Sequence, residues 1–118
     1  MKTILISLVI MIFFAFPAKD ILTGKWQSPV SPKGNVTGII FKEDNSFEGF
    51  VNKKPFVSAR YALLDSMFIF KDNGCDGKPG VYKILFYSNS DSMRFEPISD
   101  SCAGRREGMS KLVLGRVK

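Results

Sequence analysis

The chain of 118 residues contains no histidine and only two cysteines. Without an imidazole, catalytic sets of the Ser-His-Asp and Cys-His types are excluded, and the commonest metal-binding side chain is absent. The sequence also has no long segment with helical periodicity after its first residues. We therefore predict that the protein is not an enzyme, that it has no catalytic residues and that it needs no cofactor.

Acidic residues do not supply an alternative chemistry. The segment 72–77 has a glycine at the sixth place of a calcium loop, but Gly74 and Lys83 occupy the third and twelfth places, where oxygen ligands are required. Neighbouring acids in the predicted turns could be read as a glycosidase pair, yet such groups are usually solvated. A polar turn is predicted there, with no metal site.

The first residues have the three-part layout of a secretory signal peptide. A basic start at Lys2 is followed by an apolar run and then by Pro17-Ala18 before charged residues. The run is shorter than the roughly 20 residues of a membrane-spanning helix. We predict a signal peptide over 1–18, a single domain over 19–118, a secreted or periplasmic location and no stable membrane span after cleavage. A retained anchor is the alternative, since Phe16 stands where a small residue is expected.

Positive charge is spread along the predicted mature chain. Removal of residues 1–18 takes one basic residue, Lys2, from the 17, so 16 basic and 11 acidic residues leave a formal charge of +5. Only Lys53-Lys54 and Arg105-Arg106 form basic pairs. A nucleic-acid surface requires a basic groove with stacking aromatic residues, so nucleic acid is not a predicted partner.

The two cysteines, Cys75 and Cys102, both lie in the predicted exported part. An even number of cysteines in an oxidising compartment indicates a disulfide, and a reactive pair of free thiols is the alternative. Closing this loop would stabilise the fold by about 3.5 kcal/mol on the chain-entropy model. The two cysteines therefore predict a disulfide bond that stabilises a small domain.

Short segments rich in β-branched and aromatic residues recur along the chain, separated by turn residues. Regular spacing of this kind is typical of an antiparallel sandwich or barrel. We predict an all-β fold, an eight-stranded antiparallel up-and-down barrel with one disulfide. The predicted strands are 24–28, 35–42, 46–51, 56–63, 67–71, 81–88, 93–98 and 111–117. Residues 99–110 form the longest connection, with one helical turn.

Two parts of the sequence resemble motifs of a known protein family. Gly24-Lys25-Trp26 is similar to the Gly-x-Trp that opens the first strand of the lipocalin-like branch of the calycin barrels. The segments around Cys75 and at 100–105 resemble those of small exported bacterial lipocalin-like proteins. The resemblance implies structural roles for Gly24 and Trp26, with Arg116 or Lys118 over the indole. The chain is shorter than a typical secreted lipocalin.

Alternation along the strands predicts which side chains face the interior. Because successive side chains of a strand point to opposite faces, we choose one set of alternate residues on each strand as inward-facing. This set contains Trp26, Ile39, Val51 and Phe68, together with eight residues that we predict as ligand contacts. An eight-stranded barrel is just wide enough for packed side chains or for one small ligand. The predicted ligand-binding residues are Phe41, Phe47, Val57, Tyr61, Tyr82, Ile84, Phe86 and Phe95.

Asp100 and Arg105 lie five residues apart in the longest connection. We favour a structural pair that fixes this loop, over an anion contact at the rim of the barrel. The predicted function is binding of a small apolar or amphipathic ligand in the barrel. The alternative is a filled barrel whose loops, with Arg105-Arg106, bind or inhibit an envelope protein.

Overall fold

The computed structural model describes residues 18–118, and the predicted signal peptide lies outside the described residues except for Ala18. The described residues form eight strands, two short helices and one 3-10 turn. The strands are β1 (Gly24–Gln27), β2 (Thr37–Phe41), β3 (Ser46–Val51), β4 (Lys54–Leu64), β5 (Met67–Phe70), β6 (Gly80–Tyr87), β7 (Ser92–Ser99) and β8 (Val113–Arg116). The helices are α1 (Ala18–Leu22) and α2 (Ala103–Lys111), and the 3-10 turn is Cys75–Gly77.

The strands form a closed barrel. Each strand pairs antiparallel with the next in sequence, and β8 pairs back onto β1 through Trp26 opposite Arg116 and Gln27 opposite Gly115. Cys75 and Cys102 form a disulfide with their Cα atoms 5.7 Å apart. The predicted eight-stranded antiparallel up-and-down barrel with one disulfide is confirmed.

An antiparallel meander places alternate connections at the same end of the barrel. We call one end the base: it carries α1 and the turns 42–45, 65–66 and 88–91. The other end is the mouth, which carries the connections 28–36, 52–53, 71–79 and 100–112. Both cysteines and α2 therefore belong to the mouth.

The interior is filled mainly by aromatic side chains of one parity. Phe41, Phe47, Tyr61 and Phe68 form a mutually contacting group with ring centroids 5.1–6.4 Å apart, a spacing typical of favourable aromatic pairs. The buried apolar residues are Leu22, Trp26, Ile39, Phe41, Phe47, Tyr61, Phe68, Phe70, Tyr82, Ile84, Met93, Phe95 and Leu114. Of the residues predicted to face inward, Val51, Val57 and Phe86 are only half-buried.

Two strand prolines lie at bulges, where the predicted strand bounds differ from the structure. β4 begins at Lys54 rather than at residue 56, and Phe50 pairs with Pro55 while Gly49 pairs with Val57. In β7, Tyr82 pairs with Pro97 while Val81 pairs with Ser99. A bulge tolerates proline because the ladder is already interrupted there. The extra residues, Phe56 and Ile98, are 60% and 51% exposed.

Helix α2 is longer than the single turn predicted for this connection. It spans nine residues, and β8 consequently begins at Val113 rather than at residue 111. The helix contains few apolar residues, so the sequence shows only weak helical periodicity there. None of its residues is buried. No helix in the described part of the chain is long and apolar enough to cross a membrane.

Candidate functional site: the cavity at the mouth of the barrel

The base of the barrel is sealed around Trp26. The indole is fully buried, and its Nε1 donates a hydrogen bond of 2.8 Å to the carbonyl of Leu22 in α1. The guanidinium of Arg116 lies 4.3 Å from the centroid of the Trp26 ring, within the range of a favourable cation–π contact. Arg116 also donates to the carbonyls of Ile21 and Ser90.

The register of β8 selects Arg116 over Lys118 for this position. Arg116 is directly opposite Trp26, whereas the ammonium of Lys118 contacts Asp91 at 3.1 Å. Gly24, at the start of β1, has φ of +131° and lies beside the Arg116 guanidinium. These contacts are structural, and they close this end of the barrel.

A cavity of about 640 Å³ occupies the mouth and reaches into the barrel. Its walls are the inner face of the strands, the loop before the 3-10 turn, and α2. The strand residues lining it are Thr37, Ile39, Phe41, Phe47, Phe56, Val57, Ser58, Phe68, Phe70 and Phe95, and the other lining residues are Asp72, Asn73, Gly74, Cys75, Cys102, Gly104, Arg105, Gly108, Met109 and Leu112. Phe56 at the edge is largely exposed, so the cavity opens to solvent on that side.

One face of α2 forms a wall of the cavity. Gly104 and Gly108 are four residues apart, as are Arg105 and Met109, as expected for a single helix face, and Leu112 follows directly after the helix. A Cβ atom added at either glycine would meet nothing within 4 Å. In a helix, glycine is less favourable than alanine by up to about 1 kcal/mol per residue. In α2 this cost accompanies open space, because the two glycines have no side chain beside the cavity.

The disulfide joins the two non-strand walls. Cys75 opens the 3-10 turn after β5, and Cys102 directly precedes α2. Both cysteines line the cavity. The bond therefore holds α2 against the loop that faces it across the mouth.

Asp100 is the centre of a hydrogen-bond network behind this wall. Its Oδ1 accepts from the backbone N–H of Cys102 and from Nη2 of Arg105, each at 2.9 Å. Its Oδ2 accepts from Nε of Arg105 at 2.8 Å and from the hydroxyl of Tyr82. Arg105 Nη2 also donates to the Lys78 carbonyl. The pair predicted from the sequence thus joins α2 to β6 and to the loop before it.

Hydrogen bonding and burial set the protonation states of Asp100, Tyr82 and Arg105. The hydrogen bonds from Arg105 lower the pKa of Asp100 to about 2, and those from Tyr82 and the Cys102 amide act in the same direction. Burial, with the hydrogen bond to Asp100, raises the pKa of Tyr82. Hydrogen bonding to Asp100 raises the pKa of Arg105. Asp100 is therefore ionised and Tyr82 neutral near neutral pH.

Gly80, the first residue of β6, makes this arrangement sterically feasible. A Cβ atom at that position would lie 2.8 Å from Asp100 Oδ2 and 2.9 Å from the Tyr82 ring. Both distances are shorter than real Cβ contacts, and neither group can move without breaking a hydrogen bond. The close approach of this backbone to the network requires glycine.

The structure brings together half of the predicted ligand-binding residues. Phe41, Phe47, Val57 and Phe95 line the cavity, whereas Tyr61, Tyr82, Ile84 and Phe86 lie outside the lining. The Tyr82 ring is stacked on Phe70 at 6.0 Å and its hydroxyl is held by Asp100. Phe86 lies toward the base, 6.3 Å from Trp26.

Four large apolar lining residues were missed from the sequence. Phe70 is two residues from Phe68 and shares its face, so alternation alone could have found it. Phe56 is the extra residue of a bulge, which reverses the parity there. Met109 and Leu112 depend on the full length of α2, which the sequence does not signal.

The hydroxyl of Tyr61 is buried and has no hydrogen-bond partner in the described part of the chain. The residue is 6% exposed, and its ring packs edge-on against Phe41. Burial raises the pKa of Tyr61, with a smaller effect from Asp44. An unpaired buried hydroxyl costs stability rather than adding to it.

Among residues 18–118 there is no group of three or more side chains placed to hold a metal ion.

Comparison with known proteins supports the architecture. No family model matches the chain, and no match is found among curated proteins. An NMR structure of a protein from Bacteroides uniformis is similar, with a TM-score of 0.58 and 23% sequence identity over 85% of this chain and 92% of that chain. At this level of identity the similarity shows the fold alone.

Proposed function

We propose that this protein is an exported, lipocalin-like binding protein that holds a small apolar or amphipathic molecule in the cavity at its mouth. The observation that carries the proposal is the cavity itself, about 640 Å³ in volume and lined largely by aromatic and aliphatic side chains. Ligand sites commonly have volumes of about 300–1,000 Å³ and such a lining. Binding, rather than catalysis, is the role we assign to it.

The different construction of the two ends supports this assignment. Trp26, Leu22 and Arg116 are joined by direct contacts and close the base. At the mouth, glycines take the places on α2 where large side chains would fill the space. A barrel serving only as a solid scaffold has no need of this opening, because a filled interior is more stable.

The alternative function, recognition of an envelope protein through the Arg105-Arg106 loop, has less support. The side chain of Arg105 is 8% exposed and contacts Asp100, Asp72 and the Lys78 carbonyl. Arg106 alone of the pair is exposed. A protein partner at this loop would meet one exposed arginine rather than two, and Arg106 itself donates to the Asp100 carbonyl.

Filling the cavity from α2 tests the proposal. Gly108→Trp places a large side chain in the cavity, and the loss of a helical glycine offsets any strain in α2. We expect binding of the neutral dye Nile red, measured by its fluorescence, to weaken by about tenfold or more. Thermal unfolding of the same sample checks that the fold is retained.

Ala103→Trp is the matched control, because Ala103 belongs to the same helix and is exposed but does not line the cavity. This variant should bind the dye as the wild type does. Equal binding by Gly108→Trp and wild type, or no binding by the wild type of any apolar probe, would contradict the proposed function.

Export is tested separately from binding. Expression of the whole chain in a bacterium with an envelope, followed by mass spectrometry of the secreted and periplasmic fractions, should yield a chain beginning at Lys19. Leu22 must remain in the mature protein, because its carbonyl accepts the Trp26 hydrogen bond. Recovery of the full-length chain in the membrane fraction would favour the retained anchor instead.

A further inference from the structure

Among residues 18–118, two charged side chains, Asp72 and Arg105, line the mouth cavity. The remaining polar lining residues are neutral, with Thr37 and Ser58 on the strands and Asn73 in the loop. A ligand with an apolar body would place its polar group near the charged pair, where water and protein dipoles can solvate it. The net charge around Asp72 and Arg105 therefore decides whether a cationic, neutral or anionic head group binds most tightly.

The positive charge of Arg105 is already neutralised. Its guanidinium makes two hydrogen bonds to the two carboxylate oxygens of Asp100, at 2.8 and 2.9 Å, and a third to the Lys78 carbonyl. The Asp100 side chain is fully buried. A bidentate pair of this kind is strong and geometrically fixed. Arg105 is consequently a poor site for an additional anion.

The charge of Asp72 is compensated only in part, because the guanidinium that it contacts is shared with Asp100. Its carboxylate lies 3.5 Å from Nη1 of Arg105, and both of its contacts, to Arg105 and to the backbone N–H of Gly74, involve Oδ1. Oδ2 accepts no hydrogen bond from residues 18–118. With one guanidinium and two carboxylates, the side chains of Asp72, Asp100 and Arg105 carry a formal charge of −1, while Arg106, which contacts the Asp100 carbonyl at 3.5 Å, is exposed and does not line the cavity. The partial positive charge at the start of α2 is offset by Asp100, which accepts from the Cys102 amide.

We propose that the cavity selects an amphipathic ligand with a cationic, hydrogen-bond-donating head group, such as an alkylammonium, bound at Oδ2 of Asp72 with its apolar chain against the aromatic side chains that line the cavity. This inference rests on the proposed function and specifies its ligand class. The excess of basic residues elsewhere acts from the exposed surface and is screened over about 8 Å at physiological salt. The partly buried carboxylate at the cavity wall acts at contact distance.

Displacement of Nile red by three matched ligands tests the inference. Dodecylammonium, dodecanol and dodecanoate share one chain and differ in head-group charge, and each is used below its micelle concentration at pH 7. We expect dodecylammonium to bind most tightly and dodecanoate least tightly, with a ratio of affinities of about tenfold or more. In Asp72→Asn this ratio should fall toward one, because the amide retains an oxygen for the Gly74 turn but no charge.

Asp76→Asn is the control, since Asp76 is an exposed acid of the same loop and does not line the cavity. It should keep the wild-type ratio. Tightest binding of dodecanoate, or an unchanged ratio in Asp72→Asn, would overturn the cationic selectivity while leaving the binding function intact. Failure of the dye and all three ligands to bind the wild type would overturn both.

Discussion

Asp100 makes the mouth of the barrel sensitive to acid. Its pKa in the folded protein is about 2, below the ordinary value of 3.8, chiefly because Arg105 donates two hydrogen bonds to the carboxylate. A depressed carboxyl pKa contributes stability above the unfolded value and loses that contribution as the pH falls through the folded value. The relevant window is therefore between about pH 4 and pH 2.

We expect the free energy of unfolding, measured in urea, to decrease across this window as Asp100 becomes protonated. Asp100→Asn should be less stable by about 3 kcal/mol at pH 6, because it leaves Arg105 without its buried partner. Its stability should also change less between pH 4 and pH 2. A carboxyl carbon NMR titration of the wild type measures the Asp100 pKa directly, and an ordinary value would contradict the prediction.

Two tyrosine hydroxyls provide a matched comparison at buried positions. Tyr61→Phe removes a hydroxyl that has no partner in the described part of the chain, so we expect unchanged stability or a gain of up to about 1 kcal/mol. Tyr82→Phe removes a donor to an ionised carboxylate and should cost about 1.5–3 kcal/mol. Chemical denaturation measures both, and equal losses would show that Tyr61 has a partner.

At the scale of elements, α2 depends on its attachments. The helix has no buried residue and contains two glycines, so its own sequence supports it weakly. Arg105 joins it to Asp100, and the disulfide joins Cys102, directly before the helix, to the loop after β5. The wall of the cavity is therefore held by these two links.

Removal of the disulfide should loosen this wall. In Cys75→Ala/Cys102→Ala, opening the loop between residues 27 apart should lower stability by about 3.5 kcal/mol. Amide hydrogen exchange in α2 should accelerate more than exchange in β2 and β3, which the disulfide does not touch. Uniform acceleration in all three elements would show that the bond stabilises the barrel without specifically holding α2.

The strands show where alternation is a reliable guide and where it is not. In β2 and β3, unbroken pairing keeps Phe41 and Phe47 on the inner face, as their parity predicts. In β4, the bulge beside Pro55 inserts Phe56 and places it at the edge of the cavity. A proline inside a predicted strand is a sequence signal for such a bulge, and it was available at Pro97 within 93–98, whereas Pro55 lies just before the predicted strand 56–63.

Closure of the whole barrel depends on Arg116. This side chain covers Trp26 and donates to the carbonyls of Ile21 in α1, of Thr23 just after it, and of Ser90 in the turn between β6 and β7. Lysine keeps the charge but loses the planar set of donors. We expect Arg116→Lys to lose about 2 kcal/mol of stability.

Trp26 is the only tryptophan, so its fluorescence reports on the base directly. Arg116→Lys should shift the emission to longer wavelength as water approaches the indole. Arg94→Lys is the control: Arg94 lies 5.9 Å from the exposed Tyr87 ring, and its replacement should cost about 0.5 kcal/mol or less with no change in emission. Equal effects of the two substitutions would mean that Arg116 does not close the base.

Local patterns in the sequence determined the strand number, the antiparallel order, the aromatic interior and the cysteine pair, because alternation and turn residues act over a few neighbours. The tertiary structure alone decided the choice of Arg116 over Lys118, the position and length of α2, and which aromatic residues face open space. Those features depend on the register of β8 against β1 and on contacts between residues far apart in the chain, such as Asp72 with Arg105. The position of the cavity, and the charge at its edge, follow from that long-range packing.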